Sequence, residues 1–225
     1  MPAHTGPYAV GLRYLRILEP ASSGIANATT PSGQPARLLS TTIRYPAVGR
    51  SLTSEQPGAR AAAAGPFPLI VFSQGYDTPV AAYAGLLDAW TRAGYVVAAP
   101  TYPHTDPMAP GGVDESDIIN HPRDLRFVIS ALMSQARRPG SPLAHLVNGQ
   151  QIAVAGQSDG GDVSLAVAAS GCCRDAAVRA AVILSGAELP SFGGNYHSSG
   201  SPPLLVVQGD SDTINLPGCS AALYD

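Results

Sequence analysis

From residue 68 onward the chain keeps returning to one pattern: a short apolar run, a turn, then a stretch with helical spacing. The runs are PLIVFS (68–73), YVVAAP (95–100), QIAVAG (151–156), AAVILSG (180–186) and PLLVVQG (203–209). Strands with no polar alternation are buried on both faces, so helices between them cover a parallel sheet from two sides. The spacers fit that demand. Thr78 is placed to cap a helix with Pro79 at its first position. Tyr83, Leu86, Leu87 and Trp90 then fall at i, i+3, i+4 and i+7, and Gly94 ends it. This assigns Trp90 to the core. A second helix from about Pro122 buries Leu125, Val128, Ile129 and Leu132 by the same spacing, and a third begins at Ser158.

The first part of the chain reads differently. Two β-rich stretches, Tyr8–Leu18 and Arg37–Tyr45, flank a Ser/Gly/Pro/Asn-rich loop and predict an antiparallel start to the sheet. A low-complexity segment, SLTSEQPGARAAAAGPFP (51–68), links them to the alternating region. There is no internal repeat. At 225 residues the expectation is one α/β domain spanning 1–225, a mostly parallel central sheet with helices on both faces.

Composition excludes more than it selects. With 45% hydrophobic residues, 13% charged and a net charge of −3, the chain is globular and carries no basic face for nucleic acid. No apolar run is long enough for a membrane span, and MPAHTGPYAV lacks the charged and apolar regions of a signal peptide; the compartment and oligomeric state stay open. Cys172, Cys173 and Cys219 lack zinc-site spacing, so no metal is expected. The vicinal pair is expected to be two small, half-buried residues at a helix end, with a mutual disulfide or a reactive thiol as the alternative.

Chemistry enters at Gly156-Gln157-Ser158-Asp159-Gly160. The motif follows a predicted strand and opens a predicted helix, a setting that lifts a serine oxygen above the sheet edge and aims a helix N-terminus at it. Glycines clear the crowded corner. Acyl transfer also needs donors where charge develops on the substrate oxygen. The backbone N–H of Asp159 is one candidate; the loop VFSQGYDT (71–78) offers the N–H of Tyr76 as the other. Without chemistry, Ser158 would be a helix cap and the loop an ordinary strand-to-helix turn.

The segments PFPLIVFSQGYDTPVAAYAGLLDAWTRAGYVVAAPTYPHT, GQSDGG and PPLLVVQGDSDTI together resemble the α/β-hydrolase superfamily. Within it they are similar to bacterial esterases of the platelet-activating-factor acetylhydrolase, dienelactone hydrolase and cutinase-like polyesterase kinds. The resemblance implies an eight-stranded, mostly parallel sheet, a Ser-Asp-His triad and no metal or organic cofactor. It also implies a small-molecule ester as substrate. SQGY (73–76) matches the Ser-x-Gly-Tyr of polyesterase oxyanion loops, which places the Tyr76 ring beside the ester. The family's Gly-x-x-Asp, counted from Gly209, makes Asp212 the acid, with Asp210 as the alternative; without chemistry, both would be turn formers.

Superfamily order puts the histidine last, yet none follows Asp212. The resemblance therefore implies a chain that stops short of its base and of the final strand and helix. His104 and His197 lie in loops at the same sheet edge as possible substrate contacts or substitute bases, whereas His4, His121 and His145 are expected at the surface or in caps. Two readings of function follow. One is a serine esterase of carboxylesterase or lipase type working through an acyl-enzyme on Ser158; the other is a catalytically silent fold that binds a ligand or partner. Within the enzyme class, a dienelactone or amide hydrolase is the runner-up.

Overall fold

A computed structural model of the chain describes residues 7–21, 35–49, 54–193, 195–196 and 200–224. Two long strands open it, β1 (Ala9–Glu19) and β2 (Arg37–Ala47), paired antiparallel from Ala9 opposite Ala47 to Glu19 opposite Arg37. The low-complexity segment is not all linker: Gln56–Pro57 forms a short edge strand, β3, beside β1. The five apolar runs become β4 (Phe67–Ser73), β5 (Val96–Thr101), β6 (Val147–Gln157), β7 (Val178–Leu184) and β8 (Leu204–Val207). They join one sheet of eight strands in the order β3-β1-β2-β5-β4-β6-β7-β8, antiparallel only at β1–β2 and β2–β5.

The continuous apolar runs are explained by what lies on either side. Successive side chains of a strand point to opposite faces. Leu69 and Val71 of β4, Val96 and Ala98 of β5, and Ile152 and Val154 of β6 pack with α2 (His121–Arg137) and α3 (Asp159–Ala169). Ile70, Phe72, Val97, Ala99 and Ala155 face the other way, toward α1 (Ala84–Arg92). Leu125, Val128, Ile129 and Leu132 are all buried, as their spacing requires. Trp90 packs against the second cluster with its ring 6.2 Å from that of Phe72.

Three expectations are corrected. Thr78 does not cap a helix: its hydroxyl donates to the Tyr76 carbonyl at 3.0 Å, and a 3-10 turn, Val80–Tyr83, leads into α1 from Pro79 without a side-chain cap. Cys172 and Cys173 are not two thiols but a disulfide with each other, in the turn after α3 where the Ser170 hydroxyl lies 3.2 Å from the Cys172 sulfur. His121 is not a surface residue. It does stand at a cap, closing the 3-10 turn Glu115–Asn120, but it is fully buried, its ring stacked 3.9 Å from Tyr102, because Asp117 one helical turn earlier supplies a partner inside the protein.

Asp117 and Asp124 clamp the Arg37 guanidinium from two sides at 2.6–3.0 Å, all three buried. Removing one partner of such a cluster costs about 3–5 kcal/mol, since a charge is left buried alone. The cluster fastens β2 to α2. The chain leaves β4 for β5 on one side, then crosses back through α2 to β6 on the other. The ends of β4 and β6 therefore adjoin where strand order reverses, which is where open α/β sheets bind ligands.

Candidate active site

β6 ends at Gln157, and the chain turns into α3 within one residue. Ser158 takes φ 54° and ψ −126°, a region L-residues rarely enter and one that costs about 1–3 kcal/mol. The surroundings hold it there. Its N–H donates to the Leu184 carbonyl at 3.0 Å, and its own carbonyl accepts from Asp162 N–H, continuing strand into helix. A β-carbon on Gly156 would lie 1.9 Å from the Gly160 carbonyl oxygen; one on Gly160 would lie 2.1 Å from the Ser73 carbonyl oxygen and 2.6 Å from that of Gln74. No side chain fits either position. The same contacts press the turn after β6 onto the turn after β4.

That second turn runs Ser73-Gln74-Gly75-Tyr76. Ser73 and Gln74 are buried, and the Ser73 hydroxyl shares a 2.8 Å hydrogen bond with the Tyr102 hydroxyl, above the stacked His121. Gly75 N–H donates to the Tyr83 hydroxyl, which donates to Gln157 Oε1. Asp77 N–H donates to the Thr105 carbonyl, tying the turn to the loop that follows β5. Tyr76 N–H has no hydrogen-bond partner among the described residues. Partial desolvation and the carboxylates of Glu115, Asp77, Asp114 and Asp159 push the Tyr76 phenol above its usual value.

Two carboxyls at the head of α3 are perturbed. Burial, reinforced by Glu115, pushes Asp159 up to about 6, against the lowering effect of its own backbone N–H. Burial likewise raises Asp162 to about 7, although it accepts the Ala187 N–H at 2.7 Å. A helix N-terminus favours negative charge. Here desolvation outweighs it.

The loop after β8 reaches the same spot. Asp212 Oδ1 accepts the N–H groups of Ile214 and Asn215 at 2.9 and 3.0 Å, and Oδ2 accepts from Gln208 Nε2 at 3.1 Å. The two backbone donors hold the Asp212 carboxyl below its usual value. Asn215 then extends its Nδ2 to the Ser158 hydroxyl oxygen at 3.3 Å. Asp210, in contrast, is exposed and among the described residues meets only the neighbouring Ser211 hydroxyl. Of the two aspartates, Asp212 is the one hydrogen-bonded to Asn215, whose side chain touches Ser158.

The histidines divide. His104 is exposed on the loop after β5, its carbonyl accepting from Asp114 N–H. His145 is exposed as expected. His4 and His197 lie outside the described residues. No histidine ring is hydrogen-bonded to Ser158 among the described residues. The sequence reading missed His121, Tyr83 and Gln157. His121 carried a signal, the Asp117/His121 spacing of four on a helical stretch; Tyr83 and Gln157 carried none, since their meeting depends on how the two turns pack.

Strand order and direction define an open, mostly parallel α/β sheet of the α/β-hydrolase type. Neither known family models nor curated proteins contain a match to this chain. Among solved structures it is similar to a ferulic acid esterase from Streptomyces cinnamoneus, with a TM-score of 0.65 and 22% identity over 100% of this chain and 71% of that one. At that identity the likeness extends to the fold. Among the described residues, no group of histidines, cysteines and carboxylates could hold a metal ion, and no helix is long and apolar enough to cross a membrane.

Proposed function

We propose that this chain is a serine hydrolase of carboxylic esters, with Ser158 as nucleophile. The observation that carries the reading is the positive-φ conformation of Ser158 at a one-residue strand-to-helix corner, held by glycines that admit no β-carbon. Strain of this kind concentrates at functional sites.

In the proposed reaction the Ser158 oxygen attacks the ester carbonyl carbon while its proton passes to a base. The carbonyl oxygen becomes an anion facing the N–H groups of Tyr76 and Asp159. Collapse expels the alcohol, which takes the proton from the base, and leaves an acyl-enzyme that water cleaves by the same route. Asp212 orients the base and stabilises its charged form. The base is a histidine outside the described residues, His197 being one candidate; His104 is the described alternative. The substrate is a small-molecule ester, and the solved ferulic acid esterase puts aromatic acyl esters first among those to try.

One observation favours a rival reading: the hydrogen-bond partner of the Ser158 oxygen is an amide, Asn215 Nδ2, rather than an imidazole. On that reading the fold binds a ligand without turning it over. Chromogenic esters of increasing acyl length, ferulate esters, lactones and amides separate the cases. Ester turnover that falls at least about 10³-fold in Ser158→Ala supports the proposal. Turnover unchanged in that variant refutes it, and a preference for lactones or amides moves the protein to the dienelactone or amide hydrolase class.

A further inference from the structure

Between the two turns that meet at the site stands a residue that belongs to neither. Tyr83 lies at the end of the 3-10 turn before α1, and its ring packs 4.7 Å from that of Phe72 in β4. Its hydroxyl accepts the Gly75 N–H at 3.1 Å and donates to Gln157 Oε1 at 2.8 Å. Gly75 precedes the candidate oxyanion donor Tyr76, and Gln157 precedes Ser158. The contact is close on all sides. A β-carbon on Gly75 would fall 2.8 Å from Gln157 Oε1 and 3.2 Å from both the Gln157 carbonyl oxygen and the Tyr83 hydroxyl.

We propose that Tyr83 is a positioning residue whose hydroxyl sets the Tyr76 amide relative to the Ser158 oxygen by bridging Gly75 and Gln157. The inference rests on the esterase reading of the site and adds a part to it. By engaging the Gly75 N–H, the phenol fixes the Gln74–Gly75 peptide plane, one unit before the peptide that carries the Tyr76 N–H, and leaves that N–H free to serve as the donor of the turn. An oxyanion donor acts through geometry, and a displacement of about 1 Å can cost on the order of 10²-fold in rate. The phenol suits the task because it accepts and donates through one atom, which neither phenylalanine nor a backbone group does. Burial raises its pKa, so it keeps the proton it donates to Gln157. Neither Tyr83 nor Gln157 needs to touch substrate for this.

The test compares wild type, Tyr83→Phe, Gln157→Leu and the double variant in the full chain, reading kcat and KM for the best ester together with thermal unfolding. Loss of the bridge lowers kcat roughly 10-fold with KM within about twofold, and the double variant falls no further than the worse single one, because both remove the same link. A lowered melting temperature with wild-type kcat makes the bridge structural only and overturns the inference, while the esterase reading stands. Multiplying losses in the double variant overturn it too. If Tyr83→Phe fails to fold, Gln157→Leu decides alone, and an unchanged kcat there is contrary. A wild-type protein that turns over no ester removes the esterase reading and the inference with it.

Discussion

Two strand-to-helix junctions meet at the site, and they are built by different means. From β6 the chain enters α3 through Ser158 alone, and backbone touches backbone: Gly156 on Gly160, Gly160 on Ser73 and Gln74. From β8 the chain wanders through residues 208–216 before α4 (Pro217–Ala221), held by side chains, with Gln208 and Asp212 collecting most of the hydrogen bonds. The first junction is buried at Gly156 and Gly160 and half-buried at Gln157, Ser158 and Asp159. The second leaves Ile214 and Leu216 84% and 58% exposed, next to a strand whose Leu205 and Val207 are exposed as well. Close backbone packing leaves no room for substitution, whereas a turn made of side-chain bonds tolerates change in all but the residue that collects them.

The difference can be broken at its tight end first. Gly160→Ala forces a β-carbon into two carbonyl oxygens and must pry the β6 turn off the β4 turn. We expect ester turnover to drop to background and thermal unfolding to move down by many degrees; a variant near wild type in both would mean that the two turns do not press on each other. At the loose end the effect depends on the residue. Asp212→Asn lowers kcat by about 10²- to 10⁴-fold with little change in unfolding, and Asp210→Asn stays within about twofold, both read from steady-state kinetics. Reversal of that order would move the acid to Asp210.

How much of this was legible follows the same division. The five apolar runs, the faces of α1 and α2, and the Gly-x-Ser-x-Gly corner could be read because each is a local pattern with one structural solution. Asp212 needed a family resemblance to be chosen over Asp210, since turn aspartates look alike until their hydrogen bonds are known. Thr78 was misread because its hydroxyl found a carbonyl two residues back before it could serve a helix. His121 was misread because burial of an imidazole depends on Asp117 and Tyr102, which arrive from the segment before α2 and the end of β5. The Tyr83 bridge joins positions 75, 83 and 157, and nothing local announces it.

A smaller effect sharpens the comparison through pH. Asp159 titrates near 6 and Asp162 near 7 in the folded protein, above the ordinary carboxyl value they regain on unfolding. Between about pH 4 and pH 7 the folded state binds more protons than the unfolded one, so both groups make stability fall as pH rises. Asp159→Asn removes its share. Its melting temperature is expected to match wild type near pH 4, exceed it near pH 8 and vary less between them. Equal curves for the two proteins would mean that Asp159 is ordinarily solvated, and the buried character of the β6 corner would be overstated.

The most direct test is covalent. A fluorophosphonate reacts with a serine only where the hydroxyl is activated and an oxyanion site receives the phosphoryl oxygen. Purified protein treated with such a probe and mapped by peptide mass spectrometry is expected to carry one adduct, on the peptide containing Ser158, and none in Ser158→Ala. Folded wild-type protein that remains unlabelled, or an adduct on another serine, would contradict the assignment of Ser158 as nucleophile.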